Sequence, residues 1–471
     1  MTPTRRAFGA AVAVVALLAG LAAGAGIGVR GIVAAHVAVD EVQYLLTATS
    51  LADDGDLDIS DELAEARWRP FADEKPPVQT SVQPDGSQIS PHDPLLPVLL
   101  AVPMGVGGWI AAKATLALLA ATLAGATLWV AVRRFGVPLP LATAGVALAT
   151  ATAPLAVYGQ QVYPELPAAL AVVVAVGALT GQPRHGMLAV LALAVVALPW
   201  LAVKYAPVAL VLAALGCVRW WRAGRRRDVG GFGAALAVAG AVYLAVHRAV
   251  WGGWTVYASG DHFERIGEFA VVGTSPDYGG RALRLVGLLT DRDFGLIAWQ
   301  PAWLLVVPAV AALLAVRPRG TAALALPLAA GWLVATFLAL TMHGFWWPGR
   351  QIVVVAPLAL LVVLWWLARG GPRVRAVATA LAAAGVVTYG WLLADGYARA
   401  VTWVSGFTEV GAPTYRWLRP LLPDYRGDFW ALHLAWIAVL ALLAVAAWRA
   451  ARSAAPTSPE FPFTVMEGSQ R

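Results

Sequence analysis

Two adjacent carboxylates, Asp40 and Glu41, follow the first long apolar run of the chain after about ten residues. They lie in a segment, residues 30–93, that contains thirteen carboxylates and only four lysine or arginine side chains. Carboxylates can accept the proton of a hydroxyl group or bind a divalent metal ion. We predict that this acidic segment, held at a membrane surface, carries the chemistry, and that the apolar remainder forms its scaffold.

Other polar side chains that could take part in chemistry occur at the ends of later apolar runs. The predicted topology places all of them on the same side of the membrane as Asp40. They are His92, Asp93, Tyr163, Glu165, Lys204, Arg281, Arg284, Asp291, Arg292, Asp293, His343 and Arg350. A site at this interface can take one substrate from the lipid and one from the aqueous phase, which indicates a lipid-linked substrate.

The composition is typical of a polytopic membrane protein. Of the 471 residues, 59% are hydrophobic and only 13% are charged, about half the charged share of a soluble domain. Apolar runs of about 20 residues recur along the chain. The net charge of +7 does not indicate nucleic-acid binding, because the basic residues form short clusters between apolar runs. The single cysteine, Cys217, excludes an intrachain disulfide bond.

The sequence predicts about twelve transmembrane helices with both termini in the cytoplasm. Their approximate ranges are 7–29, 110–132, 139–157, 166–180, 187–203, 205–217, 232–250, 294–316, 321–340, 352–367, 376–394 and 429–448. The segments placed inside contain 18 of the 34 lysine and arginine residues but only three of the 27 acidic residues. This asymmetry is the one expected for a multi-pass protein of the plasma membrane. We interpret the first apolar run as a retained span rather than a signal peptide.

The fold class is therefore an all-α polytopic membrane protein with one transmembrane domain over residues 1–450. The first outside loop, 30–93, is expected to be structured, with short juxtamembrane helices. Ser60 is its predicted helix cap, and Val78 to Val82 are predicted to start a hairpin. Further outside loops are expected at 251–293 and 395–428, and a disordered cytoplasmic tail at 451–471. Residues 94–109, interrupted by proline and glycine, favour a re-entrant or interfacial segment.

Several motifs, in this order, resemble those of the GT-C membrane glycosyltransferases. This superfamily includes the protein O-mannosyltransferases and the lipid A aminoarabinose transferase. The motifs are Asp40-Glu41 with Tyr44, the segment from Ser90 to Pro97, the loop from Tyr158 to Glu165, the stretch from Gly287 to Leu296, and the stretch from Phe345 to Arg350. The resemblance covers roughly residues 1–370. Glu165 departs from it, because many members have aspartate there.

The resemblance implies transfer of a sugar from a polyprenyl-phosphate donor to an outside glycan, lipid or protein acceptor during cell-envelope assembly. It implies an inverting mechanism with one base. Asp40 is the expected base, with Glu41 orienting it or the acceptor. A divalent metal such as Mg or Mn could bind Asp40 and Glu165. The expected substrate-binding residues are Tyr44, His92, Tyr163, Glu165, Lys204 and Arg350, with Arg350 on phosphate.

Other interpretations of these residues remain open. Glu165 could cap a helix, Arg350 could be an interfacial anchor, and Lys113 and Lys204 could snorkel from helix ends. The protein could instead be a secondary transporter or lipid flippase, although charges within the predicted spans are few. It could also be a non-enzymatic scaffold of a cell-envelope complex. The sugar, the acceptor and the oligomeric state cannot be read from the sequence.

Overall fold

The computed structural model describes residues 3–77, 79–80, 82–259, 277–427 and 430–453. These residues form helices and connecting loops, and three isolated β-bridges are their only β-structure. The predicted all-α class is therefore confirmed. The tail beyond Ser453, the middle of the predicted 251–293 loop and the end of the 395–428 loop lie outside the described residues.

The α-helices are numbered in chain order over the described residues. They are α1 (Arg5–Gly24), α2 (Asp40–Asp53), α3 (Ser60–Ala64), α4 (Leu95–Arg133), α5 (Leu139–Thr150), α6 (Leu155–Tyr158), α7 (Glu165–Leu179), α8 (His185–Leu201), α9 (Ala206–Arg222), α10 (Arg226–Val250), α11 (Tyr278–Ala282), α12 (Arg284–Thr290), α13 (Leu296–Trp299), α14 (Val306–Val316), α15 (Thr321–Leu333), α16 (Ala356–Arg369), α17 (Pro372–Tyr397), α18 (Pro413–Leu418) and α19 (Trp430–Ser453). Short 3₁₀ turns flank several of them, and a π-helical turn, Val334–Leu338, extends α15.

Seven of the helical segments are long and apolar enough to cross a membrane, and five shorter apolar helices accompany them in the described part of the chain. Each of the predicted spans overlaps one of these segments. The five shorter segments have 10–17 residues, fewer than the roughly 20 residues that a spanning helix needs. The count of twelve spans therefore stays a prediction, whereas the presence of several helices able to span a membrane is confirmed.

Helix α7 runs between the two ends of the helical assembly. Glu165 lies in its first turn, and at its other end Arg134 donates to the carbonyl of Gly177, with 3.1 Å between Nε and O. Arg219 also donates to a carbonyl there, that of Gly181. A helix of 15 residues is about 22 Å long. The basic inside loops of the prediction and the candidate site of Glu165 therefore lie at opposite ends of α7.

The sequence predicts a segment interrupted by proline and glycine at this position, but residues 95–109 form the first arm of helix α4, up to a kink. Pro97 is tolerated because the first turn of a helix does not use its N–H groups. The break occurs at Gly107 and Gly108, and Gly108 has a φ of +62° that favours glycine. Val102 and Val106, one turn apart, are 74% and 85% exposed. The arm therefore presents an apolar face away from the protein.

The first loop is structured, but its predicted helix cap is wrong. Ser60 is the first residue of α3 rather than its cap, and Asp58 accepts hydrogen bonds from both its backbone and its hydroxyl. A turn forms at 83–87, where the N–H of Gln83 donates to the carbonyl of Ser87. Ile89 forms an isolated bridge with Asp58, and the hairpin itself stays a prediction. Val78 of the predicted hairpin lies outside the described residues.

Candidate active site

Asp40 is the first residue of α2 and lines a cavity. Arg350 Nη1 lies 2.9 Å from its Oδ2, and Gln79 Nε2 lies 3.2 Å from its Oδ1. Burial opposes ionisation of Asp40, but the positive charge of Arg350 and the contact with Gln79 outweigh it and lower the pKa to about 2. Asp40 is therefore a carboxylate at neutral pH. Val39, just before it, has a φ of +27°, a strained conformation for a β-branched residue.

Arg350 links Asp40 to Glu165. Its Nε lies 2.9 Å from Glu165 Oε1, while its Nη1 contacts Asp40. The guanidinium carbon lies 4.0 Å from the ring centroid of Tyr163, a cation–π contact. Gly349, with a φ of +83°, makes the turn before it, and a β-carbon there would lie 2.6 Å from a neighbouring leucine side chain. Arg350 is thus a fixed part of the site rather than an interfacial anchor.

Glu165 also holds Lys204, whose Nζ lies 2.8 Å from Glu165 Oε1. Glu165 is fully buried and does not line the cavity, whereas Lys204 and Arg350 do. The backbone N–H of Val203 donates to Asp93 Oδ2 at 2.8 Å, which fixes the turn that carries Lys204. Glu165 therefore places two cations side by side on one cavity wall.

The cavity has a volume of about 940 Å³, at the upper end of the range for small-molecule sites. Asp40, Tyr44, His92, Lys204 and Arg350 line one part of it. Apolar and aromatic side chains line much of the rest, including Val256, Tyr257, Phe294, Leu338, Leu340, Phe345, Trp346, Val404 and Phe407. Such a space combines a charged wall with apolar walls, and it can take a ligand that has both characters.

Tyr44 and His92 contact each other, and His92 shares with Asp40 a partner that the sequence did not indicate. Their rings stack with centroids 4.6 Å apart. His92 Nε2 lies 3.0 Å from Gln79 Oε1, and the amide nitrogen of Gln79 contacts Asp40. Burial lowers the pKa of His92, which favours its neutral form. Gln79 therefore orients both Asp40 and His92, although it is 39 residues away from Asp40.

Glu41 lies in the protein core, away from the cavity. It is fully buried and accepts hydrogen bonds from the N–H groups of Ala38, at 2.9 Å, and Val162, at 2.7 Å. Lys113 Nζ lies 3.7 Å from Glu41 Oε2 and is also fully buried. The structure thus places Glu41 in a structural ion pair out of reach of a ligand in the cavity. The alternative that Lys113 snorkels is wrong.

The remaining predicted polar residues have other positions. Arg281 donates to the backbone carbonyl of Phe337, within the π-helical turn, and Arg284 donates to those of Ala339 and Leu340, just after it. His343 Nε2 lies 3.1 Å from Asp291 Oδ2, and Arg419 Nε lies 2.8 Å from Asp293 Oδ1. Asp293 and His343 nevertheless line the cavity, as does Arg426.

Asp93 belongs to a buried network whose other members the sequence analysis missed. Its Oδ1 lies 2.9 Å from the hydroxyl of Tyr243 and 3.0 Å from Nε2 of His247. Trp251 stacks on His247 with ring centroids 4.7 Å apart. A histidine inside an apolar span is a signal that could have indicated this network. The network attaches the end of α10 to the turn that carries Lys204.

The proposed metal ligands do not fit a metal ion. Both carboxylates, Asp40 and Glu165, are bridged by the guanidinium of Arg350, which takes the place of a cation between them. In the described part of the chain, the group of three acidic residues close enough to share an ion is Asp54, Asp61 and Glu62, in the first loop. Assigning a metal to Asp40 and Glu165 therefore finds no support in their geometry.

Tyr163 gives a test of the support under Arg350. Its hydroxyl is buried and has no hydrogen-bond partner. Tyr163→Phe should therefore leave stability within about 1 kcal/mol of wild type, whereas Tyr163→Leu should lose roughly 1–2 kcal/mol with the cation–π contact. Thermal unfolding of both variants in detergent is the measurement. An equal loss in the two variants would contradict the role of the ring.

No protein-family model matches the chain, and no curated protein matches it. Among solved structures, the fold is similar to the crystal structure of ArnT from Cupriavidus metallidurans bound to undecaprenyl phosphate. The TM-score is 0.49 with 15% sequence identity, and the match covers 94% of this chain and 77% of that chain. At this level of similarity, a function for the present protein depends on its own site.

Proposed function

We propose that this protein is a membrane glycosyltransferase that moves a sugar from a polyprenyl-phosphate donor to a hydroxyl group of an acceptor. The observation that carries the proposal is one cavity whose lining includes an ionised carboxylate, Asp40, and the cations Lys204 and Arg350. A carboxylate can accept the acceptor's proton, and the cations can stabilise the charge of a leaving phosphate. The motif order shared with the GT-C glycosyltransferases supports the same chemistry.

In the proposed reaction, the acceptor oxygen forms a bond to the anomeric carbon of the sugar as the bond from that carbon to the phosphate oxygen breaks. Asp40 takes the hydroxyl proton. The electron pair of the broken bond leaves on the polyprenyl phosphate, which needs no general acid. Attack opposite the leaving group inverts the anomeric centre. Glycan, lipid and protein acceptors all satisfy this scheme.

Arg350 connects donor binding to the basicity of Asp40 in this proposal. With a pKa of about 2, Asp40 is a weak base as long as Arg350 holds it. Nη2 of Arg350 makes no hydrogen bond to the described residues, and its side chain lines the cavity. A donor phosphate can bind there and draw the guanidinium charge away from Asp40. The pKa of Asp40 then rises, and proton uptake becomes easier.

We further propose that the site faces outward from the plasma membrane. The charged cavity wall and the arginine-rich loops lie at opposite ends of α7. Arginine-rich short loops favour the cytoplasmic side. Both termini are then cytoplasmic, and the cavity receives its donor at the outer leaflet. The positive charge at the leaving phosphate comes from Lys204 and Arg350 in this scheme, without a step that uses a metal ion.

The test of the function uses purified protein in nanodiscs with membrane extracts that contain polyprenyl-phosphate sugars. Sugar transfer, with release of polyprenyl phosphate, is the expected result. Lipid-stimulated flux in vesicles without transfer from any donor pool would instead support the alternative of a secondary transporter or lipid flippase. Absence of both activities would support a scaffold.

Arg350→Lys should reduce transfer roughly 10²-fold and raise the KM for the donor. A lysine is a point charge that cannot bridge Asp40 and Glu165 and also present a further N–H to phosphate. Steady-state kinetics at varied donor concentration is the measurement. The control is Arg30→Lys, because Arg30 pairs with Asp73 and is not part of the cavity wall. Unchanged donor kinetics in Arg350→Lys would remove Arg350 from phosphate binding.

A further inference from the structure

The first loop has seven acidic residues between positions 53 and 65, and six of them fall into two groups in the structure. Asp53 pairs with Arg67. Asp56 accepts a hydrogen bond from Ser50, and Asp58 accepts hydrogen bonds from Ser60 and from the backbone of Gln88. These three carboxylates therefore have partners supplied by the protein, and their presence in the loop is explained without a bound ion.

Asp54, Asp61 and Glu62 form the second group, in which the carboxyl groups of Asp61 and Glu62 contact each other. Each offers a carboxylate oxygen within 4.8 Å of those of the other two. No salt bridge within the described residues neutralises any of them. Asp54 and Asp61 are exposed, but Glu62 is only 3% exposed, and its Oε2 is buried without a hydrogen-bond partner. A buried oxygen of this kind costs free energy unless something binds it.

We propose that Asp54, Asp61 and Glu62 bind a calcium ion. Calcium prefers carboxylate and water oxygens and tolerates irregular geometry, so waters on the exposed side can complete its coordination. Magnesium fits less well, because it demands a near-octahedral shell. With three carboxylates, two of them exposed to solvent, an affinity in the range of extracellular calcium modules, about 10⁻⁴–10⁻³ M, is expected.

The ion would connect two elements of the loop. Asp54 directly follows α2, and Asp61 and Glu62 lie in the first turn of α3. Asp40 is at the other end of α2, about 20 Å away for a helix of 14 residues. A calcium ion at this distance has no part in the transfer chemistry. Its effect is to fix the loop, so the inference is independent of the proposed function.

The test measures calcium binding by titration calorimetry and thermal unfolding of full-length protein in nanodiscs, after chelator treatment. Wild type should bind one calcium ion with half-saturation near 0.1–1 mM, and its unfolding temperature should rise by a few degrees. The double variant Asp54→Asn with Asp61→Asn should lose both effects. Both residues are exposed, so the variant should fold. Glu74→Gln, an exposed acid of the same loop, is the matched control and should respond like wild type.

Three outcomes would overturn the inference. The first is a wild-type protein that neither binds calcium nor changes its unfolding temperature. The second is an equal response in the double variant, or an equal response to sodium chloride at matched ionic strength, which indicates charge screening. The third is a stabilised Glu62→Gln variant together with a calcium-insensitive wild type, which would show that Asp61 and Glu62 share a proton instead.

Discussion

Asp40→Asn is expected to reduce sugar transfer by roughly 10²–10⁴-fold, the usual contribution of a general base. Asparagine has the same shape as aspartate but cannot take up the acceptor proton. Its amide oxygen can still accept the hydrogen bond from Arg350, whereas its NH₂ group can pair with Gln79 only if the Gln79 amide turns over. The folded state should therefore persist, and the loss should appear in kcat. Transfer from a polyprenyl-phosphate donor by protein checked by size exclusion is the measurement.

Asp73→Asn provides the control for this variant. Asp73 lies in the same loop and also pairs with an arginine, Arg30, but it does not line the cavity. Its transfer rate should stay close to that of wild type. If Asp40→Asn retained full transfer in well-folded protein, Asp40 would not be the base, and the scaffold interpretation of this loop would gain support.

Glu41→Gln, in contrast to Asp40→Asn, is expected to reduce stability. The expected loss is about 3–5 kcal/mol in the free energy of unfolding. The substitution removes the negative charge from a fully buried pair and leaves Lys113 charged in the core. It also weakens the acceptors for the N–H groups of Ala38 and Val162, which connect two loops. Thermal unfolding in detergent is the measurement, and poor recovery of folded protein is the corresponding practical sign.

A second substitution separates the buried charge from the lost hydrogen bonds. Lys113→Met in the Glu41→Gln background removes the unpaired charge and should recover part of the lost stability. Folded protein with this pair should retain measurable transfer, because neither residue lines the cavity. If Glu41→Gln instead folded as well as wild type but lost transfer, Glu41 would act on the reaction, and its assignment as a structural ion would be wrong.

The sequence by itself determined the helical, membrane-spanning character of the chain. Runs of apolar residues can satisfy their backbone hydrogen bonds in lipid only as helices, so length and composition suffice to locate them. The sequence also assigned the polar candidate residues to one side of the membrane, because residues such as Asp40, Glu165 and Arg350 each adjoin the end of an apolar segment. The roles of these residues in transfer stay predictions that the proposed kinetics test.

Only the tertiary structure decided which of these groups meet. Arg350 pairs with Asp40 across 310 positions and with Glu165 across 185 positions, and no local pattern encodes such distances. For the adjacent residues Asp40 and Glu41, too, the sequence does not tell which side chain faces the cavity. Successive residues of a helix point about 100° apart, so one carboxylate faces the cavity and the next enters the core. Which one does so depends on how α2 packs against α4, and therefore on the fold.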